Sequence, residues 1–258
     1  MSAVSEKWAD LGPRILSAIV MVAIGAVEVW LGGYWFHALV AAVGGGMIWE
    51  LTRMMTSPSS RLPIPMGVLS AVVLFIGPEM PHQAMLPVLL APAIVGATQI
   101  EKDRLIYGAY AVTLMLACTG LMLLRDFNGI RLIVWLVLVV IATDVAGYFV
   151  GRIVGGPKFW PKVSPKKTWS GTVGGWVAAA AVGAFFGSWP LILVSVATAF
   201  FSQMGDAAES AIKRRTGVKD SSHLIPGHGG LLDRFDALMG AALFVMLMGA
   251  IVGLPTGQ

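Results

Sequence analysis

The residues of this sequence best suited to chemistry are carboxylates placed where carboxylates are costly. Asp144, Asp206 and Glu209 fall within apolar stretches, and an ionisable group in such surroundings needs a cavity or a partner of opposite charge. Asp206 and Glu209 keep company with Ser202, Ser210 and Lys213, and offsets of three and four residues set all five along one stripe of a helix. The stripe is polar on an otherwise apolar helix, so it can line a wet pocket. Glu209 and Lys213 have the spacing of a helical ion pair, and for them a structural reading weighs as much as a functional one. Asp206 lies a turn deeper and needs a cation that a lysine shared with Glu209 supplies poorly, which favours function. Asp144 shares a face with Tyr148 and Arg152. An ion pair with a loop lysine is its competing structural role. Glu28, alone in the first apolar stretch, and Glu50, beside Arg53 at a helix end, read as structural.

Two polar segments follow these carboxylates. The first, 151–171, offers Lys158, Lys162, Lys166 and Lys167 with the hydroxyls of Ser164, Thr168 and Ser170, and it ends in Gly171 at a helix start. Backbone amides at a helix N-terminus with lysines nearby can hold a phosphate, although lysines are also expected on any inner loop. The second, 213–236, closes with PGHGGLLDRFD from Pro226 to Asp236. Its glycines around His228, two of them Gly229 and Gly230, let backbone approach a ligand, while Asp233 and Asp236 beside Arg234 can hold a metal. No packing argument requires that grouping. The GxxxxGK[ST], GxGxxG and HExxH patterns are absent.

The elements that must position these groups belong to a membrane. The chain has 258 residues, 57% hydrophobic and 12% charged, with mean hydropathy +0.79, whereas a soluble domain carries about 25% charged residues. A water-soluble globule is excluded. The single cysteine, Cys118, allows neither an internal disulfide nor a cysteine zinc site. Apolar runs near 15–31, 35–52, 64–77, 84–99, 105–124, 131–150, 172–187, 189–212 and 236–254 predict an all-α polytopic protein of about nine spans. The polar lead Met1–Arg14 precedes a first run read as a retained span.

With the N-terminus inside, sixteen of the eighteen basic residues fall on the inner side, leaving Arg125 and Arg131 outside. The N-terminus and both polar loops are then cytoplasmic and Gln258 is external. The +4 net charge is thus foremost a topology signal, and a nucleic-acid partner is not indicated. The division is one of N-terminal helices, 1–130, and a C-terminal catalytic region, 131–258.

The run from Ser210 through Lys213, Arg214, Lys219 and Asp220, continued by Ile225-Pro-Gly-His228-Gly229-Gly230-Leu-Leu-Asp233-Arg234-Phe-Asp236, closely resembles the signature of phosphatidate cytidylyltransferases. Asp144-Val-Ala-Gly-Tyr148, Ser164-Pro-Lys166-Lys167-Thr168-Trp169 and Gly205-Asp206 extend the likeness upstream. Ser170 and Ser222 depart from it: many members carry Glu and Gly, respectively, at these places.

The resemblance implies transfer of a cytidylyl group from CTP to phosphatidic acid, giving CDP-diacylglycerol and pyrophosphate, in the plasma (inner) membrane. It implies Mg²⁺, with room for a second cation. On this reading Asp206, Lys213, Lys219, Asp220, His228, Asp233 and Arg234 are catalytic. Asp144, Ser164, Lys166, Lys167, Thr168, Lys213, Arg214, Gly229 and Gly230 bind substrate, and Asp206, Ser210, Asp233 and Asp236 hold metal. Membrane lipids are partners, and a homodimer is one form the enzyme could take. Alternatives are another CTP-dependent lipid enzyme such as a polyprenol kinase, an ion-coupled transporter, which usually shows two related halves, and an inactive structural protein.

Overall fold

The structure, a computed structural model, describes residues 11–254 apart from 162 and 188. The lead residues before Leu11, Lys162 and the C-terminal Gln258, to which the sequence assigns an orientation or a loop role, lie outside the described residues. The helices are α1 (Leu11–Leu31), α2 (Gly33–Met55), α3 (Pro63–Ile76), α4 (His82–Gln99), α5 (Arg104–Ile153), α6 (Trp169–Phe186), α7 (Trp189–Thr216) and α8 (Leu232–Ile251). The nine apolar runs of the sequence all fall on these eight helices. The pair 105–124 and 131–150 is joined as α5, within which Gly129 takes a left-handed φ of 72°. The non-helical break at Gly129 falls in the stretch expected to be an outer connector, and it divides α5 into two helical segments that carry the two runs.

Four helices, α5 to α8, are long and apolar enough to cross a membrane, and Ile15–Leu31, Pro63–Glu79 and Gln83–Gln99 are shorter apolar helices. Large apolar side chains such as Leu105, Phe185 and Ile251 point outward, each at least 80% exposed. That is a lipid-facing surface, and the chain is an integral membrane protein. The purely helical expectation needs one amendment. Within 151–171, β1 (Lys158–Trp160) pairs antiparallel with β2 (Ser164–Thr168), with Lys158 opposite Thr168 and Trp160 opposite Ser164.

The described residues form two compact units, one holding the chain up to Met115 with Thr216–Phe235, the other Leu116–Arg215 with the chain from Asp236 onward. In the first unit Met47, Ile48, Leu51, Leu74 and Leu114 are fully buried, and Tyr107 Oη lies 2.9 Å from Thr52 Oγ1. α2 and α3 meet backbone to backbone: a Cβ at Gly45 would stand 2.6 Å from Gly67 O. With no solvent to drive helices together inside lipid, such small-residue contacts supply the packing.

In the second unit Trp135, Leu136, Val139 and Ala199 are buried, and Trp135 Nε1 donates to Ser195 Oγ at 2.9 Å. α7 and α8 cross at Gly205 and Gly240, where a Cβ on Gly240 would lie 2.9 Å from Gly205 Cα and N. Gly205 immediately precedes Asp206, and Gly240 is one turn after Asp236, so this crossing sets the distance between those carboxylates.

A methyl group separates this contact from an ordinary helical glycine. Gly240→Ala is expected to destabilise the purified protein by about 1–3 kcal/mol through overpacking. Gly25→Ala, in α1 with nothing near its Cβ, should be neutral or stabilising by up to about 1 kcal/mol. Thermal unfolding in detergent micelles gives the comparison, and equal effects would contradict a tight α7–α8 crossing.

Candidate active site

Three helices of the second unit each contribute one carboxylate: Asp144 from α5, Asp206 from α7 and Asp236 from α8. Asp144 and Asp206 lie in each other's electrostatic range, and Asp236 lies within that of Asp206, Asp144 and Lys213. Three like charges in an apolar helical unit repel unless cations intervene. Lys167 supplies one, forming an ion pair with Asp206 Oδ2 and also facing Asp144. The cation that Asp206 requires thus comes from β2, not from its own helix. Lys213 pairs with Glu209 at 2.7 Å, as the i,i+4 spacing predicts.

Hydroxyls complete the stripe on α7. Ser210 Oγ donates to Asp206 Oδ1 at 3.3 Å. The hydroxyl of Ser202, one turn before Asp206, is buried with no hydrogen-bond partner among the described residues. Asp236 Oδ1 accepts from Ala237 N at 2.7 Å. Arg152, read with Asp144 on one face, donates instead to Tyr148 Oη at 2.7 Å.

The β-hairpin explains why Lys166 and Lys167 differ. Successive strand side chains point to opposite faces, so Lys167 is half-buried beside Asp206 while Lys166 is exposed. Thr168 caps α6, its Oγ1 accepting from Gly171 N at 3.2 Å. Ser170 Oγ lies 3.0 Å from Thr168 Oγ1 and donates to Gly155 O. Hydroxyls read as phosphate donors are therefore engaged in ordering the helix start. Ser164 opens β2 at half exposure, and Arg214, Lys219 and Asp220 are exposed.

The glycine-rich loop belongs to the first unit and is built around Glu50, which is fully buried. Its carboxylate accepts from Ser221 Oγ at 3.0 Å, Ser222 Oγ at 2.6 Å, Leu231 N at 2.9 Å and Leu232 N at 2.7 Å. Asp233 Oδ2 accepts from Ser221 N at 2.9 Å and Gly230 N at 2.8 Å, with Ser221 Oγ also 2.9 Å away. The one proton of Ser221 Oγ can serve either carboxylate. A Cβ at Gly229, whose φ is 84°, would stand 2.7 Å from Asp233 Oδ2. His228 Nδ1 lies 2.7 Å from Ser17 Oγ of α1, and Arg234 Nε donates to His228 O at 2.8 Å.

Asp233, His228 and Arg234 thus order the loop, and Asp206 and Asp233, paired from the sequence as metal ligands, fall in different units. Among the described residues no three His, Cys, Asp or Glu side chains form a group able to hold a metal by themselves. Glu50, read from the sequence as structural, has that role, but its partners are groups of a loop some 170 residues away and could not be named from its neighbours in the chain.

The sequence profile of the cytidylyltransferase family matches residues 12–252. A phosphatidate cytidylyltransferase from Brucella suis is 37% identical over 258 aligned residues, covering 95% of this chain and 96% of its own. One from Staphylococcus haemolyticus is 34% identical, covering 88% of this chain and 94% of the relative. One from Bacillus subtilis is 31% identical, covering 92% and 95%. With likeness of this extent running through both units, the chain belongs to the cytidylyltransferase family.

Proposed function

We propose that Asp144, Asp206 and Asp236, with Lys167, form the reaction centre of this enzyme. The chain is a nucleotidyltransferase of phospholipid synthesis: it transfers the cytidylyl group of CTP to phosphatidate, giving CDP-diacylglycerol and pyrophosphate. The single observation that supports the placement is the ion pair of Lys167 with Asp206 inside a group of three carboxylates.

A phosphate oxygen of phosphatidate attacks the α-phosphorus of CTP in line. The new P–O bond forms as the bond from the α-phosphorus to the bridging oxygen breaks, and pyrophosphate leaves with that electron pair. Both reactants are polyanions, so catalysis consists of holding them together and offsetting their charge. Lys167 is already poised over the carboxylates and can turn to an incoming phosphate. The exposed Lys166, Arg214 and Lys219 are suited to gather phosphates from solution.

The donor set fits Mg²⁺, which is commonly held by one or two carboxylates plus substrate phosphates. Asp206 and Asp236 would hold it, with Ser210 fixing Asp206, the unpartnered Ser202 hydroxyl one turn before Asp206 on α7, and Asp144 as a candidate ligand for a second cation. A divalent ion there would neutralise charge on the transferring phosphoryl group. In this reading Asp233 contributes by closing the glycine-rich loop. Nine spans, an inner N-terminus and a cytoplasmic centre in the plasma membrane complete the proposal, supported by the asymmetry of basic residues.

Purified protein given labelled CTP and phosphatidate should form labelled lipid in a Mg²⁺-dependent manner; failure to do so with folded protein would overturn the assignment. Asp206→Asn and Asp236→Asn should each lower kcat by roughly 10²-fold or more with thermal unfolding little changed. Near-normal kcat in both would move the centre elsewhere. A cysteine at position 258 in a Cys118→Ala background should react with an impermeant maleimide from outside intact cells, and labelling only after lysis would reverse the topology.

A further inference from the structure

The first unit carries a basic pocket of about 380 Å³ where α2 ends and α3 begins, with Trp49, Arg53, Ser57, Ser60, Arg61 and Ile64 among its lining residues. Neither Arg53 nor Arg61 forms an ion pair among the described residues, and Glu50, which the sequence sets beside Arg53, is committed to the glycine-rich loop. The Arg53 guanidinium instead lies 5.5 Å from the centre of the Trp49 ring. Trp49 is in turn held by the α2–α3 contact, since a Cβ at Gly67 would stand only 2.8 Å from Trp49 Cβ. Ser60 Oγ accepts from Leu62 N at 3.2 Å, leaving its own proton for a ligand.

Two guanidiniums and a hydroxyl donor around one cavity suit a phosphate oxyanion, which arginine binds through paired charge-assisted hydrogen bonds. The neighbouring surface says what else the ligand carries. Ile64, Val68 and Val72 succeed one another at single-turn intervals along α3 and are 69%, 60% and 49% exposed. An apolar stripe therefore runs directly from the mouth of the pocket along a lipid-facing helix. Basic pockets at the ends of membrane helices, flanked by an interfacial tryptophan, are suited to anionic headgroups.

We propose that this pocket binds the phosphate of an anionic membrane phospholipid, with an acyl chain lying along Ile64, Val68 and Val72. The site uses none of the residues assigned above to CTP or to the reacting phosphate. It lets the enzyme sense or retain anionic lipid apart from the molecule being converted.

Native mass spectrometry of the full chain in detergent, with phosphatidylglycerol or phosphatidylcholine added, tests this without the enzyme's substrate present. The wild type should retain phosphatidylglycerol in preference to phosphatidylcholine, and Arg53→Gln with Arg61→Gln should weaken that retention at least about tenfold. The paired Arg53→Lys and Arg61→Lys variant, which keeps the charge, should retain a preference and controls for loss of folding. Millimolar inorganic phosphate should leave the bound lipid in place. Equal retention by the glutamine variant would overturn the proposal, as would displacement by inorganic phosphate, which would make the pocket a free-phosphate site.

Discussion

Gathering like charges inside an apolar helical unit is the constraint on which the second unit depends. Asp144, Asp206 and Asp236 come from three different helices, and each is within electrostatic reach of at least one other. Such a group opposes folding through repulsion and desolvation unless cations enter it. The β-hairpin between α5 and α6 delivers Lys167 to Asp206, and the last turns of α7 deliver Lys213. The glycine crossing of α7 and α8 then fixes how closely Asp206 and Asp236 approach. An enzyme that joins a nucleoside triphosphate to a lipid phosphate benefits from a centre whose unmet need is positive charge, because the same cations can bridge protein and substrate.

The first unit solves a different problem, the ordering of a loop that has little apolar side chain to bury. Glu50 does this from within the core, its two oxygens holding two serine hydroxyls and two backbone amides. Asp233 adds further closures from the loop's own far end. Buried carboxylates are stable when their lone pairs are this fully used. The glycines of the loop are then steric necessities as much as sites of ligand approach, because a side chain at Gly229 would meet Asp233.

Helix positions were legible from hydropathy because lipid imposes a strong, local rule on each segment. The Glu209–Lys213 pair was legible because both members share one helix. The break between two runs at Gly129 was legible as well, since charged Arg125 and Arg131 with an intervening glycine interrupt the apolar sequence. The β-hairpin was hidden by its brevity and its prolines. Long-range partners were the hardest to see: nothing near Asp206 names Lys167, and nothing near Glu50 names Ser221. Arg53, three residues from Glu50, suggests a local ion pair that the structure replaces with a ring contact. Motif spacing marks Asp206 and Asp233 alike, and the hydrogen bonds that Asp233 accepts within its loop could not be read from that spacing.

That distinction can be measured by binding alone. Electron paramagnetic resonance of Mn²⁺ added to the purified chain with CTP counts bound metal without requiring turnover. A bound signal is expected in the wild type and is lost in Asp206→Asn and in Asp236→Asn while folded protein is recovered. Undiminished Mn²⁺ binding in both variants would contradict the placement of the reaction centre on α7 and α8.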